Sequence, residues 1–199
     1  MTDAAFAGLV DAICAVVAAE GRDAAARTAR ALADGGRRHV AAPQRPTEFD
    51  QRIRAILAGS THPAAGAILA AQDLVGWGVN PVADRMTGQA ASICAIATLM
   101  GPEGPVRSPC FRLGLFYQGR DSYYPLHNHD ADETYVILAG SAIWTAGHDT
   151  RLRLAGDSIH HPSRMPHAFR TGGEGFLALW RWSGDINTHS YAFLPDPAA

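Results

Sequence analysis

Apolar residues recur at helical spacing at the start of the chain. Phe6, Leu9, Val10, Ile13, Val16 and Val17 share one face in an Ala-rich background that favours helix. Gly21 is a stop signal, and residues 23–32 resume as a second helix or a continuation. Pro43 and Pro46 punctuate the next stretch, after which Thr47 with Asp50 offers a capping pattern for a helix through Leu57. Another Ala-rich segment, about residues 63–75, ends near Gly76 and Gly78. Such helices pack on a neighbouring element or pair with a second subunit, so a homodimer through this apolar segment is an expectation.

From about residue 111 the texture changes to runs of five to eight residues separated by Gly, Asp, Asn and Pro. The pattern predicts strands over 111–118, 123–129, 133–138, 142–145, 150–154, 158–161, 168–171 and 176–182. Short, evenly spaced strands suggest an antiparallel sandwich or barrel. The predicted architecture is mainly β with an α-helical N-terminal segment: residues 1–109 pack as helices on a β-barrel formed by 110–199. On the last strand Phe176, Ala178, Trp180 and Trp182 fall on one face, and Leu177, Leu179 and Arg181 on the other.

Composition narrows the function classes. At 199 residues, 47% hydrophobic and 18% charged, with a net charge of -2, the chain carries no electrostatic footprint for nucleic acid. All seventeen basic residues are Arg, so lysine Schiff-base chemistry, pyridoxal phosphate anchoring and a P-loop lysine are excluded. Cys14, Cys94 and Cys110 lack metal or redox spacing and read as small hydrophobes in a reducing compartment. The N-terminus has no cationic leader, and the charge-free run from Met86 to Pro102 is polar and short for a span. A cytoplasmic protein without a membrane partner is expected.

Six of the nine histidines lie between His127 and His167. In a strand, His127 and His129 point to the same face, and the polar tripeptide Asp130-Ala131-Asp132 can turn the chain so that Glu133 returns a carboxylate to it. Tyr135, two residues on, projects into the same interior. After Gly156, Pro162 and Pro166, His167 brings one more imidazole at the end of a turn. Three imidazoles and a carboxylate make a site for one divalent ion of Zn, Fe, Mn, Co or Ni. His160 and His161 are adjacent, so at most one of them faces the pocket, while His148 lies in a turn.

These residues resemble the cupin superfamily, whose first motif, G-x5-H-x-H-x3,4-E-x6-G, is matched by His127, His129, Glu133 and Gly140. The second, G-x5-P-x-G-x2-H-x3-N, is matched by Gly156, Pro162 and His167. Gly119 lies two residues too far from His127, Arg164 stands at the motif's glycine and Thr171 at its asparagine, and none of these departures removes a ligand. The resemblance implies a small double-stranded β-barrel with the metal inside.

Tyr135 after Glu133, Tyr124 three residues before His127, the aromatic last strand and the helical first half look like the cupin-type dimethylsulfoniopropionate (DMSP) lyases. That resemblance implies a carbon–sulfur lyase with a small-molecule substrate, β-eliminating DMSP to dimethyl sulfide and acrylate. The metal would bind the substrate carboxylate, Tyr135 would be the base, and Tyr124 a reserve base or carboxylate partner. Trp180 and Trp182 would offer aromatic faces to the sulfonium. Other readings are a lyase-like cupin acting on another small carboxylate, an Fe(II) dioxygenase cupin and a non-catalytic metal- or sugar-binding cupin. An elimination needs a base and oxygen activation does not, so Tyr135 and Tyr124 favour the DMSP lyase reading, or a close lyase-like relative, over the dioxygenase.

Overall fold

The computed structural model describes residues 2–78, 80 and 92–196. Among the described residues the chain opens with α1 (Thr2–Ala18), α2 (Asp23–Gly36), α3 (Asp50–Ala58) and α4 (Ala65–Ala70). Gly21 separates α1 from α2 with a φ of 67°, and α2 runs on past its expected end to Gly36. The Thr47 side chain does not cap α3 in the expected way. Its hydroxyl accepts from Phe49 N at 3.3 Å, while Asp50 N bonds the Thr47 carbonyl at 3.1 Å. The Ala-rich segment also forms a shorter helix than expected. It tightens at Gln72–Leu74 into a 3-10 turn, where the buried Gln72 side chain donates to Asp50 Oδ1.

Nine strands follow among the described residues: β1 (Cys94–Gly101), β2 (Val106–Arg107), β3 (Arg112–Gln118), β4 (Tyr123–Asn128), β5 (Asp132–Ala146), β6 (Asp149–Leu154), β7 (Ser158–His161), β8 (His167–Ser183) and β9 (Ala192–Phe193). The first two lie within residues 1–109, where the sequence pattern predicts helices. β1 is buried on both faces, so it lacks the alternation that marks a half-exposed strand. The charge-free run that ends in β1 begins at residues 86–91, which lie outside the described residues.

Four of the expected strands merge pairwise into the long β5 and β8, which run antiparallel and bend together. Their first and last halves belong to two half-sheets. One runs β2-β1-β3, then the end of β8, the start of β5 and β7; the other runs β9-β4, then the start of β8, the end of β5 and β6. Gly140 and Gly175 sit at the bend with φ of 71° and 77°. A side chain at Gly140 would run into the Gly175 carbonyl, and one at Gly175 into the Gln118 carbonyl. Only glycine meets both demands.

The two faces of the sheet have different partners. Phe116, Tyr124, Tyr135, Trp144, Phe169, Phe176, Trp180 and Trp182 form the interior. Leu113, Leu115, Tyr117, Val136, Leu138, Leu177 and Leu179 pack outward against Phe6, Leu9, Ile13, Leu32, Ile53 and Leu57 of the helices. This is the predicted mainly β fold with helices leaning on a barrel-like sheet. No helix among the described residues is long and apolar enough to cross a membrane.

The departures from the cupin motifs have local accommodations. Arg164 adopts a φ of 64°, the left-handed conformation that the motif's glycine would take freely. Its N–H donates to the His129 carbonyl at 2.9 Å. Thr171 Oγ1 donates to the Gly119 carbonyl at 2.7 Å and accepts from Ser122 N at 3.0 Å, so it holds the displaced turn before β4.

Candidate metal centre

The strand register assembles the site. His127, near the end of β4, pairs with His167, the first residue of β8. Glu133, near the start of β5, lies between Trp182 of β8 on one side and His161 of β7 on the other. His129 follows just past β4, in the turn that Asp130 N anchors on Ser190 Oγ at 3.0 Å.

Among the described residues, His129, Glu133 and His167 form a buried group whose donor atoms all lie within 4.8 Å of one another. Glu133 Oε2 is 3.1 Å from His129 Nε2 and 3.2 Å from His167 Nε2. His127, expected as a ligand, lies beside this group rather than in it. Its Nδ1 is 2.8 Å from the Pro125 carbonyl, and its ring sits 3.9 Å from that of His167 and stacks on Tyr191 at 5.0 Å.

The tautomers indicate what would fit here. His167 Nδ1 lies 2.9 Å from the Met165 carbonyl, an acceptor only, so it carries the proton. That leaves His167 Nε2 as a lone pair facing a carboxylate oxygen, buried and without a hydrogen-bond partner; His129 Nδ1 is likewise unpartnered. Two electron-rich atoms held 3.2 Å apart and buried are unfavourable alone and favourable around a cation. The donor set of imidazole and carboxylate suits a divalent ion.

The charges respond to one another. Burial opposes the Glu133 charge, but His129 and then the His161 hydrogen bond outweigh it and hold the carboxyl well below its usual range. Burial and the neighbouring His167 hold His127 well below the usual imidazole range. Tyr135 is pushed well above the ordinary phenol value, by burial first and then by Glu133. Burial also pushes Tyr124 above it.

Tyr124, Tyr135, Trp180 and Trp182 line one cavity with His127, His129 and Glu133. Trp182 Nε1 donates to Glu133 Oε1 at 2.6 Å, and Trp180 Nε1 to the Leu115 carbonyl at 3.3 Å. Tyr124 Oη accepts from Asn80 Nδ2 at 2.7 Å and shares a 2.8 Å hydrogen bond with Tyr191 Oη. Arg112, also on the cavity wall, donates to the Ile186 carbonyl at 2.9 Å and to Glu103.

The sequence pattern did not single out Asn80, Arg112, Trp144 or Tyr191. Asn80 reaches Tyr124 across 44 positions, and Tyr191 follows the last long strand outside either motif, so spacing carried no signal for them. Of the adjacent pair, His161 turns inward and is 1% exposed, while His160 faces outward and meets Asp132 Oδ2 at 2.8 Å. His148 is exposed, as its turn position implied.

The curated DMSP lyase DddQ of Ruegeria pomeroyi is 35% identical over 131 residues. That alignment covers 65% of each protein, so the chain spans about 65% of the length of the curated relative it matches. A crystal structure of DddQ from the same organism superposes with a TM-score of 0.68 at 27% identity, covering 96% of this chain and 98% of that one. A structure from work on the DMSP lyases RdDddP and RnDddQII shares the fold, with a TM-score of 0.72 at 20% identity over 98% of this chain and all of that one. The family model for dimethylsulfoniopropionate lyase matches residues 20–178, a span that runs from the end of the first helix through every residue of the buried His129–Glu133–His167 group, and the chain belongs to that family.

Proposed function

We propose that this protein is a metal-dependent carbon–sulfur lyase that cleaves DMSP to dimethyl sulfide and acrylate. The observation that carries the reading is the buried His129–Glu133–His167 group opening onto a cavity that Tyr135 and two tryptophans also line. His129, Glu133 and His167 would hold one divalent ion of Zn, Fe, Mn, Co or Ni. His127, whose Nδ1 is turned to the Pro125 carbonyl and whose Nε2 is therefore an acceptor, completes the set as a fourth ligand.

A divalent ion there would neutralise the substrate carboxylate, stabilise the enolate-like charge at the α carbon and draw the Tyr135 phenol toward ionisation. The ionised Tyr135 phenolate takes the α proton and becomes a phenol, the released electron pair forms the carbon–carbon double bond, and the β carbon–sulfur bond breaks. Sulfur leaves with that bond's electrons as neutral dimethyl sulfide, so no general acid is needed. Tyr124, fixed by Asn80 and Tyr191, holds the substrate carboxylate and is the reserve base. The aromatic faces of Trp180 and Trp182 receive the sulfonium without a counter-charge.

Headspace gas chromatography with DMSP tests the reading, with wild type beside Tyr135→Phe after loading with each of the five metals. Dimethyl sulfide from wild type and its loss from the variant are expected. No dimethyl sulfide with any of the five rejects the assignment.

A further inference from the structure

His161 is a buried imidazole that the proposed elimination does not use, yet it touches two members of the metal group. The Trp144 indole donates to His161 Nε2 at 3.0 Å. Indole nitrogen is a donor only, so that contact makes Nε2 the acceptor and leaves the ring proton on Nδ1. His161 Nδ1 lies 3.4 Å from Glu133 Oε2, the oxygen that faces His129 and His167. The His161 ring also stacks on His167, with centroids 4.0 Å apart and planes 14° from parallel.

Glu133 is thus held from both neighbouring strands. Trp182 of β8 secures Oε1, and His161 of β7 donates toward Oε2. A carboxylate clamped this way cannot swing out of the group, and a ring stacked on His167 limits rotation of that imidazole. Groups behind metal ligands commonly set ligand orientation and affinity in this manner.

We propose that His161, fixed in one tautomer by Trp144, is a positioning residue that orients Glu133 and His167 for the metal. The inference rests on the metal reading above and adds a role for two residues that neither cupin motif includes. It concerns metal affinity and ligand geometry, which can be read without substrate.

The test titrates metal-free protein with Zn²⁺ against a chromophoric chelator and records the visible spectrum of the Co²⁺-loaded protein. His161→Phe keeps a flat ring against His167 and loses both nitrogens; it is expected to bind Zn²⁺ about 10- to 100-fold more weakly. His161→Gln restores an N–H donor and is expected to recover part of the loss. Trp144→Phe removes the tautomer lock, so it should weaken binding alone and add nothing in the His161→Phe background. The Co²⁺ bands should shift in each single variant.

Wild-type affinity and an unchanged Co²⁺ spectrum in His161→Phe overturn the proposal while leaving the metal site standing. Should His161→Phe fail to fold, the same result in both His161→Gln and Trp144→Phe overturns it equally. A wild-type protein that binds none of Zn²⁺, Mn²⁺, Fe²⁺, Co²⁺ and Ni²⁺ overturns the metal reading itself, and this inference with it.

Discussion

Trp182 Nε1 donates a 2.6 Å hydrogen bond to Glu133 Oε1 across the β5–β8 ladder. The indole therefore orients the carboxylate with its edge while its ring packs 4.3 Å from His129 and borders the cavity. Trp182→Phe keeps an aromatic face and removes only the N–H. Metal affinity is expected to fall about tenfold, the lower end for a group behind a ligand, with a smaller change in KM. Chelator competition and steady-state kinetics on metal-saturated protein separate the two effects.

The imidazoles differ in how directly they meet Glu133. His129 lies 3.1 Å from Oε2, whereas His127 stands beside the His129–Glu133–His167 group, with Nδ1 on the Pro125 carbonyl and Nε2 left as the acceptor. His129→Ala is expected to lower bound metal sharply, and His127→Ala to weaken it by less. Elemental analysis after dialysis checks both. Unchanged metal content in His129→Ala would mean that the ligands have been assigned wrongly.

Tyr135 must lose its proton to act as a base, and burial with Glu133 nearby holds that proton on. A raised pKa places the active, deprotonated form on the alkaline side, so kcat/KM is expected to climb as pH rises above neutral. Tyr135→Phe should cost roughly 10²- to 10⁴-fold in rate, the usual contribution of a general base, with bound metal unchanged. Tyr124→Phe should keep the alkaline climb. A pH–rate profile that is flat in wild type would remove Tyr135 from the role.

The part of this site that was legible in the sequence is the part built by local spacing. His127 at the end of β4, His129 just past it, and Glu133 and Tyr135 on β5 keep a two-residue spacing within each pair, so period-two geometry places them on the interior face without knowledge of the fold. Trp180 and Trp182 follow the same rule on β8. What spacing could not show is register. Only the pairing of Glu133 with both Trp182 and His161 reveals that the carboxylate is gripped from two strands. β1 escaped notice because burial on both faces erases alternation, and Asn80 because its partner is remote in sequence.

The three cysteines are expected to differ in reactivity. Burial pushes the Cys94 thiol up to about 12, and burial with Asp11 nearby pushes Cys14 up to about 11. Both remain protonated, and so poorly nucleophilic, throughout the range below pH 9. Cys110 is exposed. Titration with a disulfide reagent at pH 8 should find one fast thiol in the folded protein and three after unfolding. Fast modification of Cys94 would contradict its burial beside the cavity.

Arg181 joins the helices to the back of the site. It lies between Trp180 and Trp182 but points to the other face, where it is 0% exposed. Its Nε donates to Glu20 Oε1 at 2.9 Å and Oε2 at 3.2 Å, one terminal nitrogen to Glu20 Oε2 at 2.8 Å, and further bonds go to Ser183 and Thr134, with Asp132 Oδ1 more distant at 4.0 Å. Thr134 is itself the residue between Glu133 and Tyr135. Glu20→Ala leaves a buried guanidinium without its close partner and with only the more distant Asp132, which costs about 3 kcal/mol. In a domain of this size that lowers the melting temperature by roughly 10 °C. The paired change Glu20→Leu with Arg181→Leu removes both charges and is expected to recover most of that loss, since an apolar pair of similar volume often replaces a buried ion pair without penalty. Thermal unfolding of metal-free protein measures both variants. A double variant no more stable than Glu20→Ala would show that the bonds to Thr134 and Ser183, rather than the buried charge pair, carry the stability at this junction.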